Sequence, residues 1–169
     1  MKDKIITESI KGLRADGLKF SIDAVAEKLK ISKKKIYKYF PDKEALAYAV
    51  YEEYYNNLIE RIKIITHSHA KSNSQKAEEL LLCYCDSAGM IRKEIFNKYS
   101  LNNAMNDCAL RHHAAVWNLV EPYICTNMTS DEAFIYKLII DGTAQQIFKH
   151  KADLTSAVKM LCEIMRKYI

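Results

Sequence analysis

Apolar residues return every three or four positions along most of the chain. No stretch shows the strict polar–apolar alternation of a half-buried strand. The pattern predicts an all-α protein of about nine helices. The first spans residues 4–15, with Ile6, Ile10 and Leu13 on one face and Gly17 as its stop. Ser21 follows as an N-cap, Asp23 suits the positive end of the new helix, and Phe20 can staple onto Val25. Val25, Ala26 and Leu29 give this short helix its buried side. The pattern restarts at once: Ile31 precedes a second N-cap, Ser32, and Ile36 stands one turn further on. Two short capped helices about three residues apart form a helix-turn-helix, here over residues 21–40.

In the second of these helices, a rotation of about 100° per residue turns Ile36 and Phe40 together into the core. Lys34, Lys35, Tyr37 and Lys38 then point outward. Asp42 caps a long helix carrying Leu46, Val50, Tyr54, Leu58, Ile62 and Ile65 at helical spacing. Residues 66–75 are polar and read as a loop. Residues 76–125 read as two or three helices, broken near Gly89 and around residues 100–103, and ending near Pro122. Thr129 and Glu132 make a capping box for a helix reaching to about His150. Asp153 opens the last helix, striped by Leu154, Val158, Leu161 and Met165. The expected division is a head over residues 1–47 and a body over residues 48–169.

Charge changes the picture more by its placement than by its sum. Residues 1–50 hold 12 Lys and Arg against 7 Asp and Glu, a net of +5, whereas residues 51–169 hold 14 against 14. Residues 28–43 alone carry seven lysines and one acid, Asp42. A basic face on a small head beside a neutral body is the footprint of a nucleic-acid module; a solvated lysine-rich surface is the bland alternative. Lys33, Lys34 and Lys35 fill the first turn of the second short helix, where the helix dipole disfavours cations by a few tenths to about 1 kcal/mol each. A docked polyanion removes that conflict.

The remaining chemistry is mostly exclusion. Cys83, Cys85, Cys108, Cys125 and Cys162 match neither a disulfide framework nor a zinc spacing and read as small buried hydrophobes. His67 and His69 lie in a polar stretch, and His112 and His113 are neighbours on a helix, so all four are expected at the solvated surface. No phosphate loop, nucleophile elbow or paired-carboxylate motif occurs, and neither an enzyme nor a cofactor or metal is expected. The chain opens on an amphipathic pattern rather than a signal peptide, and no apolar run spans a bilayer, so a cytoplasmic protein without a membrane partner is expected.

The run Ser32-Lys33-Lys34-Lys35-Ile36-Tyr37-Lys38-Tyr39-Phe40-Pro41-Asp42-Lys43-Glu44-Ala45-Leu46 resembles the tetracycline-repressor (TetR) family of bacterial regulators. That family shows Ser, three variable residues, a hydrophobe, Tyr, one residue, Tyr or His, Phe, then Lys-Glu-x-Leu. The opening from Phe20 to Ala26 is similar as well, and the resemblance covers residues 4–50. It implies a three-helix DNA-binding head on a helical body that holds a small-molecule effector and dimerises through its last two helices. By motif position it places Lys33, Lys34 and Tyr37 at base edges. Ser21, Lys35, Lys38, Tyr39 and Lys43 fall at phosphates, and Ser32, the cap of the same helix, joins the DNA-binding set. The sequence departs from the family at Leu29-Lys30, where Ala-Gly is common, and at Lys34, where Gly is frequent. A left-handed Lys30 costs on the order of 1 kcal/mol.

In the body, Tyr84, Met90, Phe96, Tyr99, Met105 and Trp117 are candidates to line an effector pocket, although such residues at helical spacing are also ordinary core. Ile135, Leu138, Ile139, Gly142, Gln146, Leu154, Val158, Leu161 and Met165 are the candidate dimer interface, with Gly142 permitting close helix approach; a single monomeric core is the alternative. The expected function is a homodimeric repressor on a palindromic duplex, released by an unknown small-molecule effector. The other reading is a helical adaptor acting through protein partners without specific operator binding.

Overall fold

Ser21 and Ser32 begin the two short helices of the head by the same device. Ser21 Oγ accepts the Ala24 N–H at 3.1 Å, and Ser32 Oγ accepts the Lys35 N–H at 3.3 Å. Each satisfies one of the donors a helix start leaves open. The computed structural model describes residues 1–16, 21–91 and 103–168, and of residues 13–16, 91, 103–106 and 165–168 the backbone alone. The expected stop at Gly17 and the Phe20 staple therefore lie outside the described residues.

The described residues form eight α-helices and no strand: α1 Lys2–Asp16, α2 Ile22–Lys28, α3 Lys33–Tyr37, α4 Lys43–His67, α5 Asn73–Ala88, α6 Asn103–Ile124, α7 Ser130–Lys149 and α8 Leu154–Tyr168, with a 3-10 turn at Gly89–Ile91. The all-α reading holds. Two compact units are present, one of Met1–Asn57 with Arg92–Ala109, the other of Leu58–Ile91 with Leu110–Ile169.

In the first unit α1 packs on α2 and α2 on α3. Of the residues read as inward, Ile6, Val25, Ala26, Ile36, Phe40, Leu46 and Val50 are buried and Ile10 and Leu29 half-buried; Ile5 and Ile22 are buried beside them. The turn between α2 and α3 closes on Lys30, whose φ is 52°. Its N–H donates to Glu27 O and the Ile31 N–H to Ala26 O, both at 3.0 Å, the paired bonds of a Schellman cap. The strain expected at Lys30 is thus present, offset by two hydrogen bonds that use otherwise open carbonyls.

In the second unit α5 packs on both α7 and α8. Ser72, inside the stretch read as loop, begins α5 with a capping box to Gln75. Gly89 ends α5 under the Phe148 ring: a Cβ there would stand 2.7 Å from Phe148 Cζ, so any side chain requires that ring to shift. The helix α7 is apolar on two sides. Ala133, Tyr136, Ile140, Ala144 and Ile147 are buried, while Phe134, Ile135, Leu138 and Ile139 are exposed. Gly142 lies within the exposed arc, and a Cβ built on it meets nothing within 4 Å.

Candidate functional site

Ile36 and Phe40 anchor the recognition segment by burial, so the other residues of α3 and its C-terminal turn must face out. Lys33, Lys34, Lys35, Tyr37, Lys38 and Tyr39 are exposed, as is Ser32, while Ser21 and Lys43 are half-buried. Tyr37 retains 45% of its surface, unusual for an aromatic ring on a small head. All nine residues of the expected DNA-binding set belong to one compact unit. Two have local duties in addition: Ser21 and Ser32 cap α2 and α3. Lys33 is ion-paired to Asp23 on α2, a partnership absent from the sequence reading. Asp42 Oδ1 accepts the Ala45 N–H at 2.7 Å and so fixes the start of α4, beside Lys43.

Of the expected pocket residues, Tyr84, Met90 and Trp117 are buried; Phe96 and Tyr99, and the side chain of Met105, lie outside the described residues. Tyr84 and Trp117 meet edge to face at 5.0 Å. Around them is a polar cluster the sequence reading missed. Tyr84 Oη donates to Asp141 Oδ1 and Lys137 Nζ to Asp141 Oδ2, each at 2.6 Å. His113 stacks on Tyr84 with centroids 4.5 Å apart and sets Nε2 3.9 Å from Asp141 Oδ1. His113 is buried, which corrects its expected place at the surface; His67 and His69 are exposed and His112 is half-buried. Neighbouring helix positions differ by about 100° in direction, so one of two adjacent histidines can face the core while the other does not. The Ser87 hydroxyl donates to the Tyr84 carbonyl at 2.6 Å, so it accepts from His113 Nδ1, also at 2.6 Å.

Burial alone would raise the Asp141 pKa, but the His113, Lys137 and Tyr84 side chains outweigh it and hold the carboxyl at about 2. Burial and the same carboxylate push the Tyr84 hydroxyl upward. Burial pushes Cys83 up, Cys85 to about 12 and Cys125 to about 11, in keeping with thiols that act as small apolar side chains. Among the described residues no group of three His, Cys, Asp or Glu could hold a metal, and no helix is long and apolar enough to cross a membrane.

The proposed dimer residues divide. Ile135, Leu138, Ile139, Gly142 and Gln146 are exposed on α7, and Leu154 is half-buried. Val158 and Leu161 are buried within their own chain and have almost no surface to offer a partner; the side chain of Met165 lies outside the described residues. Among the described side chains of α8, the large apolar residues that stay exposed are Met160 and Ile164, to one side of Val158 and Leu161. The stripe read from α8 is thus its inward face.

A three-helix head with an exposed basic recognition segment defines a helix-turn-helix transcription regulator. Residues 5–50 match the family model of the bacterial regulatory proteins, tetR family. The match covers the head alone, which is similar in sequence to the DNA-binding head of that family. The whole chain is similar in fold to a transcriptional regulator (TerR/AcrR family) from Aquifex aeolicus VF5, with a TM-score of 0.67, 17% identity and 99% of each chain covered. No significant match to a curated protein sequence was found.

Proposed function

We propose that the chain is a homodimeric repressor that reads a palindromic duplex through α3 and leaves it when a small molecule binds the body. The observation that carries the reading is the exposed row Lys33, Lys34, Lys35, Tyr37 and Lys38, held outward by the burial of Ile36 and Phe40. Lys35 and Lys38 there meet phosphates, and Lys33, Lys34 and Tyr37 are in reach of base edges once the helix lies in a major groove. One short helix rarely gives specific affinity alone. The exposed arc of Phe134, Ile135, Leu138 and Ile139 on α7, with Met160 and Ile164 on α8, supports a second copy as partner, and Gly142 lets two α7 helices approach closely. An oligomer of this kind works from a cytoplasm, where its operator is.

Selection from random duplexes, followed by sequencing, tests the reading. The expected product is an inverted repeat with half-sites one or more helical turns apart, bound by two chains. Enrichment of no sequence, with a protein partner recovered instead, would favour the adaptor reading.

A further inference from the structure

The Lys137 ammonium sits 5.6 Å from the ring centroid of Tyr84 and 5.4 Å from that of Trp117, with Asp141 Oδ2 at 2.6 Å. Two aromatic faces and a carboxylate around one positive charge are the means by which proteins recognise organic ammonium ions. We propose that this is a cation site for a small organic ammonium ligand, occupied by the protein's own Lys137 and opened when Lys137 swings out. The inference rests on the effector-release reading above and gives that effector a chemical class.

The walls and the occupant differ in how they are held. Tyr84 and Trp117 are buried, and Tyr84 is fixed by its bond to Asp141 and its stack on His113. The Lys137 side chain retains 28% of its surface, on a flexible four-carbon stem whose charge is fully hydrated once it reaches water. Removing the lysine alone leaves Asp141 ionised, half-enclosed and short of a cation. A ligand ammonium restores that charge and recovers both ring faces. A tethered competitor acts at an effective concentration in the millimolar range, so the native chain should bind simple ammonium ions weakly. Lys137 also stands one residue before Leu138, on the exposed apolar arc of α7, so its seating bears on the helix proposed to pair with a second copy.

Trp117 is the single tryptophan of the chain and reads the site directly. The probes are choline, benzyltrimethylammonium and the neutral choline isostere 3,3-dimethylbutan-1-ol, titrated against tryptophan fluorescence of the full chain without DNA. Lys137→Ala should bind both cations about tenfold or more tighter than the native protein, because its competitor is gone. The isostere should leave the signal unchanged, and Lys137→Ala combined with Asp141→Asn should lose the response. Lys137→Gln, which keeps most of the side chain's bulk, serves if the alanine variant loses its helical circular dichroism. No cation response in either single variant, or an equal response to the isostere, would overturn the proposal. Operator binding is untouched by that outcome, so the two readings fail separately.

Discussion

Asp23 on α2 holds the ammonium of Lys33 on α3, so one lysine of the recognition helix is neutralised before any DNA arrives. Both side chains are more than half exposed, and such a pair contributes about 1 kcal/mol or less to stability. Its effect belongs to binding. Asp23→Asn should leave the melting temperature nearly unchanged and strengthen binding to random duplex a few-fold. It should also steepen the log–log salt slope by about one per head. Titrations by fluorescence anisotropy at several salt concentrations check this, and an unchanged slope would show that Lys33 does not face the DNA.

Lys151 adopts the same left-handed backbone as Lys30, with φ 53°, at the end of α7. Its N–H donates to Phe148 O at 3.4 Å and the Ala152 N–H to Ile147 O at 3.0 Å, a second Schellman cap. Glycine suits that position better than lysine. Lys151→Gly should raise stability by about 0.5–1 kcal/mol in urea unfolding, where glycine inside a helix would lower it. Lys30→Gly should do the same while weakening DNA binding through the lost charge.

The head was legible because its signals are local. Ser21, Ser32, Asp42 and Thr129 each declare a helix start within a span of four residues, and each does so in the structure. Ser72 and Gln75 carry the same signal for α5, hidden in a run of polar residues that reads as loop. The Tyr84, His113 and Asp141 cluster was not legible, since it joins α5, α6 and α7 across long sequence separations. Its one local clue is Lys137 and Asp141, an i, i+4 pair within an otherwise apolar stretch. On α8 the burial of Val158 and Leu161 in their own chain is not legible either, because an apolar stripe serves a core and an interface alike.

Asp141 makes stability depend on acid. Its carboxyl sits at about 2 in the folded chain against an ordinary 3.8, so the folded state favours the ionised form. The contribution is complete above about pH 4 and is lost as pH falls toward 2. It amounts to about 2 kcal/mol at most, less whatever solvent screens. Asp141→Asn should be less stable than the native chain at neutral pH, and the gap should narrow across that window. A gap that stayed constant from neutral pH to pH 2 would contradict the ionised cluster.

Leu138 is half exposed on the arc of α7, whereas Leu161 is buried in its own chain. Leu138→Glu should therefore give a folded monomer with native helix content and lost operator binding. Leu161→Glu should unfold the body instead. Sedimentation with circular dichroism on both variants separates the two outcomes.

Equilibrium binding of Tyr37→Ala and Lys34→Ala to a selected palindrome and to its base-substituted relatives tests whether the outward face of α3 reads duplex DNA. The predicted result is a loss of discrimination at particular bases of about 1–3 kcal/mol, on a native salt slope steeper than about −2. A native preference retained in both variants, or a native slope shallower than about −2, would contradict it.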